Sequence, residues 1–132
     1  MEDETGRYGT FHQAFMAMKR EIHMNAVAHG WWEERRSGAE CIALMHSELS
    51  EALEAMRVNP GISYRGMGGE QHVLQDVPDR LGLLPAVAVE LADCIIRIMD
   101  YAAYAKLPLA EAIIEKHEFN KARPYRHGGK ML

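Results

Sequence analysis

An all-α fold of four helices is what the sequence predicts, and three observations carry the expectation. Apolar residues recur at helical spacing through four separate stretches, Gly and Pro mark the breaks between them, and no strand-like alternation or internal repeat competes. With 132 residues, 48% apolar and 26% charged, the chain can bury one core and is short for two, so 1–132 reads as one domain.

Residues 1–9, polar with two glycines, read as a loose start. Thr10 followed by Gln13 has the form of a capping box, and Phe11, Ala14, Phe15, Met18 and Ile22 then follow at helical spacing until Gly30. Ser37 with Glu40 repeats that form. The series Cys41, Ile42, Met45, Leu49, Ala52, Leu53, Met56 continues to Asn59-Pro60-Gly61, giving a second helix over roughly 38–57. Residues 58–80 hold Pro60, Gly61, Gly66, Gly68, Gly69 and Pro78 without a steady period and read as a long loop, a length that compact domains keep for function or mobility.

From Leu83 to Ala105 nearly every residue is apolar, with Pro85 admissible in the first turn and Pro108 closing the run. This third helix is expected to be buried on most of its circumference. One layer of four helices leaves a side of it wet, so a homodimer or larger assembly is expected. A last helix runs from Pro108 to about Arg123, because Pro124 disfavours a helical residue before it, and 124–132 is an irregular tail.

The most apolar stretch, 83–105, contains Glu90, Asp93, Arg97 and Asp100, and no cationic leader precedes it. No membrane association and a cytoplasmic location are therefore expected. Cys41 and Cys94 stand alone in apolar helical patterns, which favours small buried hydrophobes over a disulfide or zinc site. The net charge of −4 argues against a nucleic-acid-binding surface. It hides an asymmetry, since 116–132 carries Lys116, Lys121, Arg123, Arg126 and Lys130 against Glu118 alone. An acidic body with a basic end suits a metal site that also holds a polyanion; a solvated basic tail is the alternative.

On the third helix Glu90, Asp93, Arg97 and Asp100 fall within about 80° of one another and are the only charged residues between Leu83 and Ala105. Carboxylates in such a setting need compensation, and one Arg does not neutralise three acids. On the second helix, with Glu48 at 0°, the apolar arc runs from Leu44 at about −40° to Leu53 near 140°, so Glu48 lies inside it and Glu51 at its edge. Face to face, the pairs Glu48/Glu51 and Glu90/Asp93 would place four carboxylates in a small volume that wants a divalent metal. Hard oxygen ligands favour magnesium, or manganese, over zinc, and no Glu has a His three residues on, which counts against a di-iron bundle.

On the last helix Leu109, Ala112 and Ile113 form an apolar stripe that Lys116, Asn120 and Arg123 continue, a face able to neutralise phosphate oxygens or simply to complement the helix dipole. Adjacent Trp31 and Trp32 read as a stacking wall for a base or as core anchors. His46 and His127 are weak catalytic candidates, and the nine methionines read as packing.

Gly30-Trp31-Trp32-Glu33, then the run from Leu44 to Glu54 with Glu48-Leu49-Ser50-Glu51, then Val89-Glu90-Leu91-Ala92-Asp93 through Arg97, together resemble the MazG-like nucleotide pyrophosphohydrolases. Lys116 to Tyr125 with His127-Gly128-Gly129-Lys130 is similar to the C-terminal signature of short members. The resemblance implies an all-α fold assembling as dimers or dimers of dimers, and hydrolysis of a nucleoside triphosphate to monophosphate and pyrophosphate. It implies Glu48, Glu51, Glu90 and Asp93 as magnesium ligands and Lys116 and Asn120 as phosphate contacts. The interval between Glu51 and Glu90 is longer than in compact members, through the glycine-rich 58–80. In the expected mechanism Glu48 or Glu51 accepts a proton from water, and Lys116, Arg123 and Lys130 balance charge on pyrophosphate. Two alternatives stand beside it: a phosphoribosyl-ATP pyrophosphohydrolase-like enzyme, and a catalytically silent helical dimer that binds nucleotide or a protein partner.

Overall fold

A computed structural model describes residues 6–58, 63–65, 71–73 and 86–125. Four helices carry it: α1 (Arg7–Ala28), α2 (Gly38–Val58), α3 (Ala86–Tyr104) and α4 (Leu109–Lys121). The stretch read as one long loop contains a small antiparallel ribbon, β1 (Ser63–Arg65) and β2 (Gln71–Val73), with Ser63 opposite Val73 and Arg65 opposite Gln71. Three residues per strand are too few to show a period in sequence.

Helix α1 starts a turn earlier than expected, after Gly6 at φ +68, with no side-chain cap. Thr10 lies inside the helix, its hydroxyl donating to the Gly6 carbonyl at 3.3 Å, so the Thr10/Gln13 pattern is not a capping box. A threonine hydroxyl satisfied by the carbonyl four residues back is compatible with a helix interior. The earlier start also brings Tyr8 to donate to Glu118, one turn before His12 comes within 2.8 Å of Glu111. At its other end α1 closes in a Schellman turn: Gly30 at φ +82 donates to Val27 and Trp31 donates to Ala26, each at 3.1 Å. Ser37 and Glu40 form the expected capping box of α2, the Ser37 amide donating to Glu40 at 2.7 Å and the Glu40 amide to Ser37 Oγ at 3.1 Å. Helix α3 ends in a second Schellman turn, with Lys106 at φ 56 where glycine is usual and the Leu107 amide donating to Ala102 at 2.9 Å.

In space the order is α2, α3, α1, α4. α2 and α3 run antiparallel: Gly38 abuts Tyr101, the Cys94 thiol donates to the Met45 carbonyl at 3.5 Å, and Glu48 meets Arg97. A Cβ on Gly38 would stand 2.7 Å from the Tyr101 hydroxyl, so the missing side chain permits the close approach at that end. α1 lies along α3 through His23 and Asp100, and α4 packs on the first half of α1.

The buried apolar residues are Cys41, Met45 and Ala52 of α2, Cys94, Met99 and Ala102 of α3, and Ala110 and Ile114 of α4, with both cysteines free as expected. Fully burying a side chain the size of Met45, Met99 or Ile114 stabilises by roughly 1.5–3 kcal/mol. Among the described residues no large side chain is wholly enclosed. Helix α3 is not buried on most of its circumference within one chain, because α1 covers its C-terminal half and Leu91, Ile95 and Ile96 stay exposed. Ile42, Leu49, Leu53 and Met56 are likewise exposed, within about 60° of one another on α2. On α4 the buried stripe is Ala110 and Ile114, so the helix is rotated from the expected Leu109, Ala112, Ile113 face. No described helix is long and apolar enough to cross a membrane.

Candidate metal centre

Three carboxylates from two helices converge. Glu48 follows Met45 and precedes Ala52 on the buried face of α2, and is only 6% exposed. Glu51, one turn on, stands at the solvent edge, while Glu90 projects half-buried from the opposed first turns of α3. An oxygen from each of the three lies within 4.8 Å of the others. The antiparallel α2–α3 pairing brings this about, because it sets the C-terminal half of one helix against the N-terminal half of the other.

Burial raises the Glu90 pKa above the usual carboxylate range, aided by its hydrogen bond with Glu51 and by the charges of Glu51, Asp93 and Glu48. Among the described residues lining the adjoining groove, Arg97 is the one cation. Asp93 stands outside the convergent triad but lines the same groove, of about 600 Å³, together with Glu48, Glu51, Arg97, Asp100 and Trp31. That volume is in the range of small-molecule sites. Arg97 supplies the compensation: its Nε donates to Glu48 Oε1 at 2.5 Å.

The two tryptophans, equivalent in sequence, part company in the structure. Trp32 is an anchor: it stacks on Tyr104 with centroids 4.0 Å apart, and its indole N–H donates to both Asp100 oxygens at 3.0 and 3.1 Å. His23 Nδ1 completes the group, 2.7 Å from Asp100 Oδ1. Asp100 thereby ties α1 and the connection after it to α3. Trp31 is 49% exposed, with the guanidinium carbons of Arg36 and Arg97 5.4 and 5.6 Å from its ring, and borders the acidic groove. Neither Arg36 nor His23 was visible as a site residue from periodicity, since Arg36 lies in the connection and His23 meets its partner only across the α1–α3 contact.

The expected cationic stripe exists but faces elsewhere in a single chain. Lys116 and Asn120 line a separate open groove of about 890 Å³ with Leu109, Ala112, Ile113 and Phe119. The Lys116 ammonium sits 4.7 Å from the Phe119 centroid and the Arg123 guanidinium 5.8 Å. α4 packs on α1, whereas the triad is built by α2 and α3, hence the separation. His46 is exposed, and Lys130 and His127 lie outside the described residues.

Comparison with protein-family models, with curated proteins and with solved structures finds no match to this chain.

Proposed function

We propose that the chain hydrolyses nucleoside triphosphates to monophosphate and pyrophosphate with magnesium as its cofactor and manganese as the substitute. The observation that carries this reading is the convergence of Glu48, Glu51 and Glu90 within 4.8 Å, where burial, the Glu51 hydrogen bond and the neighbouring carboxylates raise the Glu90 pKa. The donor set fits a hard divalent cation: all oxygen, from two helices, with neither imidazole nor thiolate joining it among the described residues. Glu48, Glu51 and Glu90 would hold the ion, with Asp93 beside them. When bound, it supplies a Lewis acid for phosphate oxygens and acidifies a bound water.

The chain's own residues then have distinct tasks. Glu51, the exposed member, would accept a proton from water. Glu48 is held in orientation by Arg97, and Trp31 offers its accessible face to a base. Lys116, Asn120 and Arg123 serve the phosphates only if α4 of a second copy faces the groove, and the exposed apolar stripes on α2 and α3 support a homodimer or dimer of dimers. Glu48→Gln or Asp93→Asn is expected to abolish magnesium-dependent pyrophosphate release with helical content intact. Normal turnover in both would sink the reading, and a panel of nucleoside triphosphates alongside phosphoribosyl-ATP sorts the substrate.

One observation favours a second reading, a silent helical dimer that binds nucleotide or a protein partner: Arg97 already satisfies Glu48. Calorimetry separates the two, because a silent scaffold takes up little magnesium, whereas a metal centre binds it more tightly with a triphosphate analogue present.

A further inference from the structure

Among the described residues lining the acidic groove, Arg97 is the sole cation, set against Glu21, Glu48, Glu51, Asp93 and Asp100. Asp100 is already engaged by Trp32 and His23. Arg97 is committed twice. Its Nε takes Glu48 Oε1 at 2.5 Å, and its guanidinium carbon lies 5.6 Å from the Trp31 ring. Glu48 is the buried member of the triad, so Arg97 and a cation among Glu48, Glu51 and Glu90 would draw on the charge of the same carboxylate. Arg97 is less constrained: it is 30% exposed, on a long side chain that already borders the half-exposed indole.

We propose that Arg97 is a displaceable counter-ion: a divalent cation entering the triad takes Glu48 from Arg97, leaving the guanidinium to the Trp31 ring it already flanks. This rests on the metal reading of the triad and adds to it a competition within the chain. Occupancy of the acidic centre is thereby linked to the surface beside it. Without the cation, Arg97 neutralises Glu48; with it, the guanidinium is free to meet an anion beside Trp31.

The test is magnesium titration of the full-length protein, read by calorimetry and by tryptophan fluorescence. Removing a unit positive charge beside the triad should tighten magnesium binding roughly tenfold or more. Arg97→Met removes the charge and the hydrogen bond. Arg97→Gln removes the charge while keeping a donor for Glu48, and serves if the methionine variant folds poorly. Wild type should show a magnesium-dependent fluorescence change that Trp31→Phe abolishes, and Arg97→Gln should bind magnesium more tightly yet lose that change. Equal or weaker binding by Arg97→Gln, at unchanged helical content, overturns the competition while leaving the metal centre standing. If wild type takes up no magnesium and Glu90→Gln alters nothing, the metal reading itself falls, and this inference with it.

Discussion

Two isosteric substitutions on facing carboxylates are expected to shift stability in opposite directions. In cation-free protein at neutral pH, Glu90→Gln should stabilise the fold and Glu48→Gln should destabilise it. The Glu90 carboxyl has a raised pKa, so between the ordinary carboxylate value and that raised one the folded state holds more protons than the unfolded state. Stability therefore falls as pH rises through that window, and the loss is complete above it. Two unit charges at the 4.8 Å limit of the triad repel by about 0.9 kcal/mol at a dielectric of 80 and about 3.5 kcal/mol at 20. Glu51 is exposed and shares a hydrogen bond with Glu90, which places the relief in Glu90→Gln near the lower end, about 1–2 kcal/mol or roughly 3–6 °C in Tm. Glu48→Gln instead strips Arg97 of its charged partner. Because Arg97 is partly exposed, that loss is about 1–2 kcal/mol, below the cost of breaking a fully buried pair. Circular-dichroism melts in EDTA from pH 4 to 8 measure both. The Glu90→Gln advantage should vanish as pH falls through the carboxylate range. A lower Tm for Glu90→Gln at neutral pH, or an advantage that ignores pH, would refute the account of the triad as under-neutralised.

Other substitutions probe the frame that holds the site. Lys106→Gly relieves a left-handed residue at the end of α3 and should raise stability by about 1 kcal/mol, read as an upward shift in urea midpoint at unchanged slope. Ser37→Ala should cost about 1 kcal/mol by removing the α2 cap, whereas Thr10→Ala, inside α1, should change the same midpoint little. If α4 of one copy serves the groove of another, protein mixed from Glu48→Gln and Lys116→Ala chains should recover pyrophosphate release that neither variant shows alone. Recovery absent from an assembly shown to be mixed would place Lys116 outside the site.

Much of the acidic centre was legible before any folding was considered. Glu48 fell inside an apolar arc, and Glu90 with Asp93 formed part of the polar stripe of an otherwise apolar helix; both patterns follow from helical periodicity and the cost of burying an unpaired charge. The antiparallel contact that makes Glu48, Glu51 and Glu90 neighbours, and leaves Asp93 beside them, depends on which helices pack together. Trp31 and Trp32 make the same point in opposite fates. Adjacent in the chain and identical in chemistry, they diverge because Asp100 and Tyr104 lie on the path of one ring and two guanidinium groups flank the other.

By itself the sequence determined four helices, their principal breaks, the Ser37–Glu40 cap and the residue types able to bind a hard cation, because each depends on neighbours within a turn or two. Only the tertiary structure decided the α2–α3–α1–α4 order, the commitment of Arg97 to Glu48, the start of α1 at Arg7 and the turning of Lys116 and Asn120 onto a separate groove. Those outcomes depend on pairs such as Tyr8 with Glu118 and His23 with Asp100, far apart in the chain, whose meeting no local period encodes.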